Sequence, residues 1–368
     1  MKIALVHDYL VQYGGAERVL ECFSEVFPDA PIHTLIHNPE AVHHIFDGKD
    51  IRTSWLQNWP LAKTKHRIFP ALMSVAVESF DLSDYDVVLS DSSSFAKGVI
   101  TGPETLHICY MHTPMRYAWD DCQKYTRDFY WAPFIKKLVP LFMNYLRLWD
   151  RLAVERVDEI IANSNFVRRR IRKYYHRESQ VIYPPVDLGN FEVSETQEDY
   201  FLMVGRLMAY KRFDIAIEAF NRLGKKLKII GRGPEEKKLE DLAGPNIEFL
   251  GRVSDEELGK YYSKCQAFIF PQEEDFGIVA VEAFASGRPV IAYRGGDIPE
   301  HLREGENGVM FDSQTVDDIV EAVKKFQGMS FDGPAIRRTA EKFDREIFKA
   351  KIKEFVEREF EDFKNNKS

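Results

Sequence analysis

From residue 200 onward the chain repeats one pattern: a short apolar run, a polar or glycine-bearing break, then a segment with helical spacing. "DYFLMVGRL" is followed by "RFDIAIEAFNRL", "KLKIIGRG" by "PEEKKLEDLA" and "NIEFLGRV" by "SDEELGKYYSKC". "QAFIFP" is followed by "GIVAVEAFASG", and "PVIAYRGG" by the later "VDDIVEAVKKF". Near-continuous apolar strands that alternate with helices are buried on both faces, so they belong to a parallel sheet covered by helices. A doubly wound sheet of this kind binds ligands beyond the carboxyl ends of its strands, and functional residues are sought there.

The first half carries the same alternation. "KIALVHDYL" reads as a strand, and "GGAERVLECFSEVFP" as a glycine turn and a helix with Val19, Leu20, Phe23 and Phe27 at helical spacing. "PIHTLIH", "YDVVLSDSS" and "LHICYMHTP" are further strands. Residues 124 to 177 are instead long, helical and rich in aromatics. Pro184 and Pro185 lack an N–H and stop regular structure, so the domain boundary is expected near 185 to 197. The expected organisation is a first α/β domain over 1–190, a second over 191–345, and a C-terminal helix over 346–368 that packs back toward the first domain.

Composition narrows the function. A net charge of −8 argues against nucleic acid as a partner. Residues 1–190 carry 22 Lys+Arg against 23 Asp+Glu, and residues 191–368 carry 28 against 35, so the negative charge lies in the second half. Cys22, Cys109, Cys122 and Cys265 have no CxxC spacing and no histidine cluster beside them, which fits a reducing compartment rather than a disulfide or zinc scaffold. The apolar run at the N-terminus is too short for a signal peptide, and no run is long enough to cross a membrane. A cytoplasmic location is the expectation.

The strand ends of the second half hold the candidate chemistry. Arg206 follows a strand in "MVGRLMAYKRFD", and Lys211 stands at the next helix start. Two cations beside a helix N-terminus make an anion site suited to a diphosphate, although surface Arg and Lys on a loop would look the same. In "PQEEDFGIVAVEAF" the helix begins near Phe276 or Gly277, where unpaired amides and the helix dipole favour an anion. Gly277 permits close backbone approach. Glu274 stands just outside, able to accept from sugar hydroxyls. Glu282 sits on an otherwise apolar helix and needs a partner, either a ribose diol or an internal arginine. Gly295 and Gly296 in "AYRGGDIPEH" permit a tight loop. In the first half the candidates are Asp8, Gly14, Gly15, Glu17 and His112, the last at the strand end in "YMHTPMRYAWD". "QYGGAER" is not a GxGxxG motif, which weakens a dinucleotide reading.

Taken in order, these pieces resemble glycosyltransferase family 4, the retaining transferases of GT-B fold. The likeness covers nearly the whole chain: GG before the first helix, a histidine at a first-domain strand end, "GRLMAYK" as G-R-x4-K, "EDFGIVAVE" as E-x7-E, then "AFASGRPVIA" and "GGDIPEHLREGENG". The family's usual proline after the first glutamate is Asp275 here. The resemblance implies two Rossmann-like domains facing across a cleft. It implies that Arg206 and Lys211 hold the donor diphosphate, Glu274 the donor sugar and Glu282 the ribose, with the amides of Phe276, Gly277 and Ile278 on phosphate and sugar. His112 is implied near the sugar, Gly15 near the phosphate, and Asp8 and Gly14 on the acceptor side. Transfer with retention follows, by same-face attack without a protein nucleophile. No cofactor is expected, and no metal, because the cations meet the charge of the departing diphosphate.

"HTPMRYAWD" resembles mannosyl-type members that build bacterial surface polysaccharides, so GDP-mannose is the first expectation for the donor and a UDP-sugar the next. The acceptor is expected to be a glycan or lipid-linked. Rival readings are a nucleotide-sugar epimerase, a non-catalytic sugar-binding protein and a glycosidase. The last wants its two carboxylates about 5–9.5 Å apart, whereas helical residues eight apart lie on the order of 12 Å apart.

One further segment is basic. Arg168, Arg169, Arg170, Arg172, Lys173 and Arg177 cluster beside Tyr174 and Tyr175. Upstream lie Phe129, Tyr130, Trp131, Phe134, Leu138, Leu141 and Phe142. Such a pair of segments serves either as peripheral contact with an anionic membrane at its inner face, or as a solvated helix face beside core aromatics.

Overall fold

The computed structural model describes residues 1–65, 69–120 and 133–366, the side chains of residue 65 and of 133–138 excepted. Two compact units result: residues 1–184 with 348–368, and residues 185–347.

The first unit is built on a parallel sheet of β1 (Ile3–His7), β2 (Ile32–Thr34), β3 (Ile51–Thr53), β4 (Val87–Ser92), β5 (Leu106–Met111), β6 (Glu159–Ala162) and β7 (Gln180–Val181), in the order β3-β2-β1-β4-β5-β6-β7. Side chains alternate across it. Leu5, Leu89 and Ile108 pack with Val19, Leu20 and Phe23 of the helix Gly15–Val26 on one face. Ala4, Val6 and Val88 meet Met73, Val77 and Trp149 on the other. Burial on both faces explains why β1 reads as an unbroken apolar run. The chain order reverses between the neighbours β1 and β4, and His7 stands opposite Asp91 in that pairing.

The helix Arg345–Asn365 turns Phe348, Ile352, Phe355 and Val356 into the core of the first unit, where Phe348 stacks on Phe23 at 6.0 Å between ring centroids. Each such buried side chain contributes about 1.5–3 kcal/mol, enough to hold a helix that is charged elsewhere. The units divide at 184/185 rather than at 190/191. Val186 already pairs with Asp344, its amide donating to the Phe343 carbonyl at 2.8 Å, so the stretch after Pro185 is part of the second unit.

The second unit holds β8 (Phe201–Val204), β9 (Leu227–Ile230), β10 (Ile247–Gly251), β11 (Phe268–Phe270), β12 (Val290–Tyr293) and β13 (Gly308–Phe311), all parallel, in the order β10-β9-β8-β11-β12-β13. Phe201, Met203, Ile229, Ile269 and Ile291 of the strands pack with Phe213, Ile217 and Phe220 of the helix Phe213–Leu223. The switch in order falls between β8 and β11, where a doubly wound sheet opens a crevice at its carboxyl edge.

The basic segment forms the helix Asn165–Tyr175. Only part of its charge is exposed. Arg170 is buried, donating to Thr113 Oγ1 at 2.7 Å and paired with Asp120. Arg177 donates to the Val154 and Asp158 carbonyls. Tyr175 donates to Asp150, and Tyr174 stacks on Trp119 at 4.9 Å. Arg168, Arg169, Arg172 and Lys173 face outward. Of the upstream residues, Phe142 packs against the core and Leu141 is exposed. Phe129, Tyr130 and Trp131 lie outside the described residues, as does Cys122, and the side chains of Phe134 and Leu138 are not described.

Candidate active site

In the second unit the switch point brings Lys211 and Glu274 together. Arg206 leaves the end of β8, and a 3-10 turn, Ala209–Lys211, carries the lysine. Glu274 follows the end of β11. Lys211 Nζ and the Glu274 carboxylate form an ion pair, each side chain about 15 % exposed or less. The cation expected on a phosphate and the acid expected on a sugar are therefore partners of each other. Arg206 is exposed beside them in sequence.

The position of Glu274 is set by the loop after β12. Gly296 has φ +63, and a Cβ on it would stand 2.2 Å from the Glu274 carbonyl oxygen. The Asp297 amide donates to that same carbonyl at 3.2 Å. The paired glycines thus let one loop press on the backbone of another, a role that a plain turn would not require. A second close approach supports the β8 end: a Cβ on Gly231, φ +138, would lie 1.9 Å from the Gly205 carbonyl oxygen.

The helix after β11 runs Ile278–Ala285 with Gly277 at its N-cap. Two amides expected on the ligand are engaged within the chain. Gly277 N–H donates to buried Asp297 Oδ2 at 3.0 Å, and Ile278 N–H to the Phe276 carbonyl at 3.0 Å. Gly277 itself is required by packing, since a Cβ there would stand 2.7 Å from the Phe270 ring. Asp297 is not among the candidates that the sequence offers; its position right after Gly-Gly is the one available signal.

Glu282 is buried, and its Oε2 accepts from the Tyr262 hydroxyl at 3.0 Å. The arginine near in sequence, Arg288, instead donates to the carbonyls of Ser263 and Ser194. Tyr262 is fixed by aromatic contacts with Phe191 at 5.7 Å and Phe268 at 5.5 Å. Glu274 is thus met by Lys211, and Glu282 by the Tyr262 hydroxyl.

In the first unit the switch point gathers His7, Asp91 and Glu17 with His112. Asp91, wholly buried, receives His7 Nδ1 at 2.8 Å on one oxygen and His112 Nε2 on the other. His7 Nε2 lies 3.8 Å from Glu17 Oε1, on the first turn of the helix that Gly14 opens. Burial alone would lower the His7 pKa, but hydrogen bonds and charge from Asp91 and Glu17 outweigh it and raise it to about 10. Burial would raise the Asp91 pKa, and the two histidines more than reverse that, holding it below its ordinary value. Neither His7 nor Asp91 stands out in the sequence, because each ends an ordinary apolar strand.

Asp8, expected on the acceptor side, anchors a loop instead. Its two oxygens accept from four successive backbone amides, Ser93, Ser94, Phe95 and Ala96, at 2.6–2.8 Å. With 3 % exposure it has no face left for a substrate. Gly14 and Gly15 stand at the helix start as expected, and a Cβ on Gly15 would meet nothing within 4 Å.

The two parallel-sheet α/β units have the architecture of the GT-B fold. The match extends to sequence. Residues 13–190 fit the model of "Glycosyltransferase Family 4" and residues 190–333 that of "Glycosyl transferases group 1". The chain belongs to these family 4, group 1 glycosyltransferases. An uncharacterized glycosyltransferase of Methanocaldococcus jannaschii is 33% identical over 48% of this chain and 52% of its own length. The O-antigen chain mannosyltransferase RfbU of Salmonella typhimurium is 30% identical over 50% of this chain and 54% of its own. The chain thus spans about half the length of these curated relatives. Anabaena HepE in complex with UDP superposes with a TM-score of 0.74 at 18% identity, covering 97% of this chain and 100% of its own, which establishes the likeness of fold.

Proposed function

We propose that the protein moves a hexosyl group from a nucleotide sugar to a glycan or lipid-linked acceptor, with retention at the anomeric carbon. The observation that carries this reading is the Lys211–Glu274 pair at the β8/β11 switch point, with Arg206 at the same strand end. The C1–O bond to the diphosphate breaks while an acceptor oxygen bonds C1 from the same face. The acceptor proton leaves with the diphosphate oxygen. Arg206 and Lys211 meet the charge that develops on the leaving group, and fixed charges of this kind lower a barrier without reorganising. Glu274 takes sugar hydroxyls and Glu282, oriented by Tyr262, takes the ribose. The chemistry asks for no metal.

GDP-mannose is the proposed donor, supported by the likeness to a mannosyltransferase of O-antigen chains. The competing donor is a UDP-sugar, which the fold likeness to a UDP-bound protein keeps in view. Thermal stabilisation by GDP, UDP and ADP in parallel, followed by transfer assays with the matching sugars, tests the reading. Stabilisation by GDP above the others supports it. No stabilisation by any diphosphate, with no transfer, overturns it.

Peripheral contact with an anionic membrane belongs to the same proposal, now on narrower ground. Leu141, Tyr145, Leu148 and Leu152 are exposed along one side of the helix Pro133–Glu155. That helix is joined to Asn165–Tyr175, whose outward cations are Arg168, Arg169, Arg172 and Lys173, by Arg151 donating to the Tyr174 carbonyl at 3.1 Å. An exposed apolar stripe on one helix and outward cations on the next suit an anionic bilayer surface, and the proposed location is the inner face of the membrane.

A further inference from the structure

The polar chain at the β1/β4 switch point has more members than the transfer reading uses. Four elements contribute to it: His7 from the end of β1, Glu17 from the first helical turn, Asp91 from the end of β4 and His112 just past β5. Only His112 reaches the surface, with 13 % of its side chain exposed. Its Nε2 faces Asp91, so Nδ1 is the nitrogen turned outward, and Nδ1 has no partner among the described residues. The ring is steadied on its flank by Tyr110, 5.2 Å away and edge-on. Tyr110 is itself held by donation to the Ile182 carbonyl at 2.9 Å and by contact with Phe348.

An ionised carboxylate accepts and cannot donate, so the hydrogen between His112 and Asp91 belongs to Nε2. In the neutral ring the lone pair then lies on Nδ1, and which nitrogen carries the proton is set by the bond that the other makes. Asp91 can play this part only while it stays a bare acceptor on both oxygens. The groups facing it are His7 on one side and His112 on the other, with Glu17 behind His7.

We propose that Asp91 is a positioning residue for His112. It fixes the ring so that Nδ1 presents its lone pair outward to a substrate hydroxyl, and His7 and Glu17 brace Asp91 in place. This rests on the transfer reading above. The sequence placed His112 alone at a strand end; the structure assigns it a support built from three other elements.

A double-mutant cycle tests it. Asp91→Asn keeps the volume but points an amide donor at one of the two rings. With the donor saturating, kcat should fall at least tenfold while the donor KM stays within about threefold. In a His112→Ala background the same change should cost less than twofold, because the residue it acts through is gone. Losses that multiply in the double variant would overturn the proposal, since Asp91 would then act as general scaffolding. Should Asp91→Asn fail to fold, His7→Leu and His7→Asn carry the same cycle. The side-chain amide of the His7→Asn variant can still donate toward Asp91 and should restore at least half of the rate lost in His7→Leu; equal loss in both overturns the brace. Nitrogen-15 NMR of histidine-labelled protein gives a readout independent of turnover. The His112 resonances, assigned by their disappearance in His112→Ala, should report the Nε2–H tautomer in its neutral form and shift toward a mixture in Asp91→Asn. An Nδ1–H tautomer in the wild type would refute the proposal. Absence of transfer with every nucleotide sugar would refute the transfer reading alone, leaving the NMR to decide the positioning.

Discussion

Lys211 and Glu274 are paired before any donor arrives, and that pairing dictates how their variants should differ. Both side chains are largely withdrawn from water. A donor diphosphate must therefore compete with Glu274 for the lysine. A charge-assisted hydrogen bond is worth about 1.5–3 kcal/mol, and about 1.4 kcal/mol is a factor of ten. Lys211→Ala should then weaken binding of the nucleoside diphosphate by about 10- to 150-fold, with the lower end favoured because the free protein already satisfies part of the charge. Binding of the matching nucleoside monophosphate should change far less, since it lacks the phosphate in question. Glu274→Gln should act in the opposite sense on binding. It releases the lysine, so diphosphate affinity should hold or rise by up to about fivefold, the worth of roughly 1 kcal/mol in a partly screened pair. Transfer should nevertheless fall at least tenfold, because the carboxylate is assigned to the sugar. Isothermal titration with diphosphate and monophosphate, beside donor kinetics, separates these arms. Equal losses of diphosphate affinity in Lys211→Ala and Glu274→Gln would refute the reasoning, for the pair would then be a structural clamp rather than two ligand contacts.

Tyr262→Phe should weaken nucleotide binding about fivefold by taking away a hydroxyl that orients buried Glu282, with the donor-sugar part of the reaction unchanged; titration with the free nucleotide checks it. Gly296→Ala should destabilise the second unit by about 1–3 kcal/mol, because it combines a positive φ with a 2.2 Å approach to the Glu274 carbonyl, and thermal melts should register it. Asp8→Ala should cost at least about 2 kcal/mol of stability in urea denaturation while the acceptor KM of the folded fraction stays unchanged, since four amides lose their acceptor. The His7 pKa is raised from 6.5 to about 10, so its contribution to stability is complete below pH 6.5 and is lost as the pH climbs through 10; urea midpoints of the wild type should decline across that window, and more gently in His7→Asn. Replacing Arg168, Arg169, Arg172 and Lys173 together with Ser should abolish salt-sensitive sedimentation with anionic vesicles without loss of fold, whereas Arg170→Ser should unfold the first unit locally because that arginine is buried on Thr113 and Asp120.

The division of labour between sequence and tertiary structure follows the range of the forces involved. Most strands and helices, the parallel sheets and the strand-end location of Arg206, Lys211, Glu274, His112 and Gly15 were legible because they depend on local periodicity and on breaks between neighbouring residues. The stretch 124–177, read as helical throughout, instead contains β6 (Glu159–Ala162), whose four residues are too few to show a period of their own. The C-terminal helix was legible as a helix expected to pack back toward the first domain, and the structure shows Phe348, Ile352 and Phe355 to be the residues that enter that core. What no local pattern contains is which distant group answers a buried charge. Glu282 needed a donor on sequence grounds, yet only the fold brought the Tyr262 hydroxyl to it. Asp8 and Asp91 both end apolar strands and look alike in the chain. Packing gives one of them four loop amides and the other two imidazoles, and so makes the first an anchor and the second a support for His112. The same holds for the glycines. Gly-Gly at 295–296 announces a turn, but its reason, a backbone-to-backbone contact with Glu274, exists only once β11 and β12 lie side by side. Sequence determined the elements and the edge at which chemistry gathers, while long-range pairing of buried polar groups decided what each carboxylate there is free to do.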